Sequence, residues 1–305
     1  MRDEFGFDTI RSVEFCVSVV IGRDAHVNYL IPVDQTVQDA LKDVLNATVA
    51  EIEKPEAHLE DFDLSEKYGS TECLRADVSA AEMAAVRALH GEEAWEINAR
   101  VLSNPAKISY YFGVFRDIGG RKLLGVRQAT QFKGAFKGRF LSVIDDTLRM
   151  VPDHVFKLDH QFDFLITAQH AYILHPAGFE RVSEIETFVL GRAKKMTLAL
   201  AQKVKFLDFG DLSEYVGKHK RAARLVAALH CRPDLAAVRR TLFCKAAEET
   251  GVSLGEVGRN KLVPRKGSEI GCLELLDNRR YVTALTPGSK PAFVASSRRP
   301  LNKTK

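Results

Sequence analysis

Two β-branched-rich runs, Val13 to Ile21 and Val27 to Ile31, are separated by a Gly-Arg-Asp turn and predict a pair of strands. Asp34 or Thr36 then caps a predicted helix whose apolar residues Val37, Leu41, Val44, Leu45 and Ile52 recur at helical spacing. Residues 53–68 are acidic and loop-like. Ser79 opens a second, Ala-rich helix, with Glu82 three positions on completing a capping box. From Lys107 the period changes to two. Ile108, Tyr110, Phe112 and Val114 alternate with Ser109, Tyr111 and Gly113, and Gly119-Gly120 turns the chain into Leu124, Val126 and Gln128. The runs Arg139 to Ile144, Val155 to Leu158, Phe162 to Ile166 and Ala171 to Leu174 extend this into an antiparallel meander with one buried face. After Pro176 the period is helical again. Ser183 and Glu186 form a capping box, and Ile185, Phe188, Val189, Ala193, Met196, Leu200 and Val204 make one apolar stripe. Further helix is expected over Asp211 to Cys231 and Asp234 to Thr250, and short strand-like runs over Ile270 to Phe293. The fold class is α+β, with an α/β domain over 1–105 followed by a β-meander carrying a basic helical layer over 106–305.

Charge sharpens that division. The 305 residues carry a formal +4, yet residues 1–105 hold 9 Lys+Arg against 21 Asp+Glu, and residues 106–305 hold 35 against 19. A net +16 beside a net −12 assigns any polyanion contact to the second part, because Lys and Arg displace the counterions condensed on nucleic acid. The densest run, Lys218 to Arg224, is expected on a helix after an Asp211 cap, and residues 186–305 carry 24 Lys+Arg for only 11 Asp+Glu.

Several chemistries lack their residues. The five cysteines, Cys16, Cys73, Cys231, Cys244 and Cys272, are odd in number and include no C-x-x-C pair, which supports neither a disulfide framework nor structural zinc. A metal-dependent nuclease of the Asp…Glu-x-Lys type has no Glu-x-Lys to draw on. His154, His160, His170 and His175 cluster in the meander but match no ligand spacing, so strand-edge or partly buried histidines are expected. No metal, cofactor or catalytic set is assigned. The longest apolar stretch, Val13 to Ile21, falls far short of the roughly 20 residues of a membrane helix, and no apolar leader opens the chain, so a cytoplasmic protein without transmembrane insertion is expected.

Residues 131–140 interleave Lys133, Lys137 and Arg139 with Phe132, Phe136 and Phe140. The segment reads either as a bulged strand with its rings turned inward or as a loop that stacks bases and binds phosphate. It is not a Walker loop, since the Gly-Lys-Ser/Thr ending is missing.

Phe162-Asp163-Phe164-Leu165-Ile166, then Ala171-Tyr172-Ile173-Leu174, then Gly178-Phe179-Glu180 before a long helix resembles the KwaB-like family, the soluble component of the Kiwa anti-phage defence system. The resemblance spans roughly residues 106 to 290. It implies a bacterial, homodimeric protein that binds DNA without sequence preference. It also implies a membrane-embedded KwaA-like partner, recruitment to the inner membrane by it, and a block to phage DNA replication. No catalytic residues carry over. Asp163, Phe179 and Glu180 read as structural, with Glu180 anchoring the hairpin to the helix start. The reading is therefore a non-enzymatic binder of duplex DNA through Lys194, Lys195, Lys205, Lys218, Lys220, Arg221, Arg224, Arg239, Arg240, Lys133, Lys137 and Arg139. Two alternatives stay open: a nucleic-acid hydrolase with an unidentified active site, and an assembly subunit docking on an acidic partner or anionic membrane surface.

Overall fold

A computed structural model describes residues 1–21, 25–54, 59–64, 66, 68, 73–103, 107–129, 141–144, 147–150, 157–258, 261–283 and 291–295. The strands are β1 (Ile10–Ile21), β2 (Ala25–Ile31), β3 (Leu59–Asp61), β4 (Cys73–Asp77), β5 (Glu96–Ile97), β6 (Ile108–Asp117), β7 (Lys122–Gln128), β8 (Leu141–Ile144), β9 (Thr147–Met150), β10 (Phe164–Ile166), β11 (His170–Ile173), β12 (Leu254–Val257), β13 (Lys261–Pro264), β14 (Arg280–Val282) and β15 (Ala292–Val294). The helices are α1 (Gln35–Ile52), α2 (Ala84–Gly91), α3 (Pro176–Val182), α4 (Ile185–Lys203), α5 (Gly210–Val216), α6 (Lys220–Cys231), α7 (Arg240–Glu249) and α8 (Glu269–Leu276). Helices and a mixed sheet together make this an α+β protein.

The chain forms two compact units, one from residues 1–62 and 69–184, the other from 63–68 and 185–305. The first is built on a nine-stranded sheet ordered β3-β4-β11-β10-β7-β6-β1-β2-β5. Its interior is antiparallel and only its two edges, β3–β4 and β2–β5, pair in parallel. The boundary expected after residue 105 is therefore corrected. β1 pairs along its length with β6, and β4 with β11, so residues on both sides of that point share one sheet. Alternation also misleads about burial. Along β6 only Ser109 and Arg116 are partly exposed, because both faces of this central strand are covered. Val155 and Phe156 lie outside the described residues, and Lys157 and Leu158 are not in a strand.

Local chemistry fixes the elements that hold the sheet together. The Asp34 carboxylate accepts from the Val37 amide at 2.9 Å and caps α1, whose Leu41, Val44, Leu45 and Ile52 are buried; Val37 is exposed. Each fully buried Leu contributes about 1.5–3 kcal/mol. The other two capping boxes do not form. The Ser79 amide donates to Asp77, and α2 starts only at Ala84 without a side-chain cap. The Ser183 hydroxyl donates back to the Phe179 carbonyl at 2.7 Å, which closes α3, and Glu184 takes a left-handed φ of 53° before α4 begins.

The Phe162–Asp163 and Gly178–Phe179 pairs form a clip in this first unit. Gly125 on β7 stands opposite Gly113 on β6, and a Cβ at Gly125 would fall within 2.9 Å of three atoms of the Phe162 ring. Glycine is thus required there for the ring to approach the strand so closely. The Phe162 amide donates to the buried Thr48 hydroxyl of α1 at 2.9 Å. Asp163 accepts from Arg127 Nη1 at 2.6 Å and from the Gln128 amide at 2.7 Å, while its carboxylate fills the space a side chain at Gly178 would need. Burial pushes the Asp163 carboxyl above its ordinary range, with the Gln128 amide and Arg127 pulling the other way. Phe179 packs edge-on against Phe164 and Phe62. Glu180 is the fifth residue of α3, past its first turn, so the expected anchor at the helix start is instead Asp163, whose carbonyl accepts from Leu174 and His175.

In the second unit, α4 packs on α5 and α6, and α8 packs on α6 and α7. Ile185, Val189, Ala193, Leu200 and Val204 of the expected stripe are buried; Phe188 is half-buried under the Arg192 guanidinium, 4.2 Å from its ring centre. The run from Ile270 is a helix rather than strands: α8 buries every residue from Gly271 to Leu276. Among the described residues, strand follows only in the β14–β15 ribbon.

Candidate nucleic-acid interface

The two units also carry opposite net charge. The first carries 19 Lys+Arg against 27 Asp+Glu, the second 25 against 13. Residues 106–184 are nearly balanced, so the cationic surplus belongs to α4–α8 and the ribbons around them.

Within that unit the expected cations have different fates. Lys194 and Lys195 are exposed on α4, Lys205 is exposed just beyond it, and Lys218 lies exposed between α5 and α6, with no ion pair among the described residues. The Lys194 side chain reaches the α5–α6 connection that carries Lys218: a Cβ at Gly217 would meet Lys194 Cε at 3.5 Å. Asp211 does not cap a helix carrying Lys218; it sits in the first turn of the short α5, and α6 starts at Lys220.

Lys220 and Arg224, one turn apart on α6, both reach Glu186 in the first turn of α4, Arg224 at 3.7 Å. Arg221 binds the carboxylate of Glu274, which is only 1% exposed and is also held by Arg280 Nε at 2.9 Å. A buried carboxylate needs such partners, which makes Arg221 part of the core's charge balance. Arg239 is exposed before α7, and Arg240 pairs with Glu256 of β12. Lys133, Lys137 and Arg139 lie outside the described residues.

Pattern reading missed three cations. Lys261, Arg265 and Lys266 on and after β13 are exposed and without an ion pair among the described residues, in a hairpin with only Glu256 as its acid. Their sequence signal is the Arg-Asn-Lys and Arg-Lys spacing around a short apolar strand.

Other polar groups are committed elsewhere. A cleft of about 450 Å³ in this unit is walled by Arg232, Asp234 and Asp277, which pair with one another and with Arg279. His170 Nδ1 lies 2.8 Å from Glu4, and burial holds His175 below the ordinary histidine value. Among the described residues no three His, Cys, Asp or Glu side chains are grouped to hold a metal ion, and no helix is long and apolar enough to cross a membrane.

A family model described as "Kiwa protein KwaB-like" matches residues 111–286, more than half of the chain. The match takes in β6 from Tyr111 onward, β7, the Phe162–Glu180 clip and all of α4–α8. No curated protein and no solved structure matches.

Proposed function

Because the chain belongs to the KwaB-like family of Kiwa proteins, we propose that it serves anti-phage defence as a non-enzymatic, sequence-independent DNA-binding protein. In this reading it is a homodimer that works beside a membrane-embedded KwaA-like partner and blocks replication of phage DNA. The observation that carries it is the set of exposed cations on one unit, Lys194, Lys195, Lys205, Lys218 and Arg239, which spend no charge on a carboxylate among the described residues. Such distributed cations suit phosphates and offer no recognition helix for base edges.

Anisotropy on labelled duplexes of unrelated sequence, across salt and with or without magnesium, tests the proposal. Affinity is expected to be similar on every sequence and to fall steeply with salt. Replacing Lys194, Lys195 and Lys218 together by alanine is expected to lower the salt slope by about 2–3 units, roughly 0.9 for each phosphate that is no longer neutralised. A flat salt response or a single preferred sequence contradicts it. Cleavage with magnesium points to a hydrolase, and binding only to anionic vesicles points to an assembly subunit.

A further inference from the structure

We propose that the outward face of the β14–β15 ribbon is a base-stacking platform for single-stranded DNA, with Tyr281 and Phe293 as its rings. The proposal rests on the DNA-binding reading above and names the strand state one part of the surface takes.

Tyr281 and Phe293 are directly opposite in the antiparallel register, so both side chains leave the same face of the ribbon. Their rings lie 5.8 Å apart and 25° from parallel, yet Tyr281 is 48% and Phe293 45% exposed. The neighbouring residue in β14 points the other way. Arg280 donates to Glu274 at 2.9 Å and to the Thr250 carbonyl at 3.3 Å, which ties the inner face to α8 and the end of α7. Arg279 adds a second tie, through Asp277 at 2.6 Å and through its carbonyl to the Ala295 amide. A two-stranded ribbon of this size has little stability of its own. Here two salt-bridged arginines hold it to a buried helix and leave a paired aromatic surface in water.

Charge says what that surface meets. From Asn278 to Lys305 the chain has seven Lys+Arg and no Asp or Glu. Arg279 and Arg280 are used on α8, but Lys290, Arg298, Arg299, Lys303 and Lys305 have no acid in the same stretch. Exposed rings in an acid-free, cationic segment match a polymer with flat apolar bases on an anionic backbone. A duplex keeps its bases stacked inside and cannot use the rings, whereas an unpaired strand can.

The test compares oligo(dT) with a duplex of matched length, using the full chain. In the double variant Tyr281→Ala with Phe293→Ala, affinity for oligo(dT) is expected to fall about 10- to 100-fold, as removing aromatic stacking from one or two bases gives. Affinity for duplex is expected to stay unchanged, as is that for an abasic oligomer. The paired change Tyr281→Leu with Phe293→Leu keeps apolar cover on the ribbon and is expected to lose oligo(dT) affinity with an unaltered melting curve. Phe293→Trp is expected to show fluorescence quenching on oligo(dT) over the background of the buried Trp95. Full affinity in the leucine variant, equal losses on both DNAs, or an unquenched tryptophan overturns the platform. Wild-type protein that binds duplex but not oligo(dT) also overturns it and leaves the wider reading standing; binding to neither DNA sinks both.

Discussion

The ring of Phe162 has room because two glycines face each other across β6 and β7, and a methyl group at Gly125 would take that room away. Gly125→Ala is expected to cost about 1–3 kcal/mol in urea unfolding, the usual range for overpacking, and adding Phe162→Leu to recover part of it. Glu4 makes a second residue-scale prediction. Burial works against its charge, but donors on Thr167, Tyr172 and His170 outweigh this and hold the carboxyl below its ordinary value. A depressed folded pKa stabilises above the unfolded value and is lost as pH falls through the folded one. Wild-type stability should therefore drop below about pH 4.5, the ordinary carboxylate value, and Glu4→Gln should flatten that acid limb in melting curves. The words of the Phe162–Glu180 motif were legible in the sequence, but their partners were not. Arg127 meets Asp163 across 36 residues, and nothing in either local pattern names the other.

Among the elements, α4 and α6 share a carboxylate that competes with any phosphate. Glu186→Gln removes the carboxylate that Lys220 and Arg224 both reach, so DNA affinity is expected to rise and the salt slope to steepen by about 1 unit, the share of Lys220. Unchanged anisotropy curves would mean that this end of α6 never meets the backbone. Arg221 behaves differently: Arg221→Ala leaves Glu274 with Arg280 alone and should lower stability by about 1–3 kcal/mol in denaturant titration. Failure of that variant to bind DNA would then report unfolding. Elements whose signal is local were legible, as with Asp34 capping α1. Ser183 shows why the same signature fails elsewhere, since a hydroxyl that ends one helix and a carboxylate that begins the next leave the same spacing as a capping box. The run at α8 is apolar on every side, and periodicity cannot separate a fully buried helix from a strand.

For the whole molecule, composition located the cations in the right half, but the division lies near residue 184 rather than 105. The error has a physical source: charge varies along the chain, whereas the sheet is assembled from strands distant in sequence, and only pairing shows that β1 lies beside β6. A fragment of residues 106–305 lacks β1 through β5, leaving β6 with a bare edge and an uncovered apolar face. It is expected to aggregate or remain unfolded by circular dichroism and size exclusion; a folded, monodisperse fragment would contradict the sheet order.

That sheet order also sets a timetable on the ribosome. β1 and β2 emerge early and can close a hairpin, but β1 waits for β6, and β4 waits for β11, each nearly a hundred residues later. At about 5–20 residues per second, each open edge faces solvent for roughly 5–20 s before its neighbour is synthesised. Slow synonymous codons between β6 and β11 would lengthen the exposure of β4 and raise the insoluble fraction without changing one amino acid.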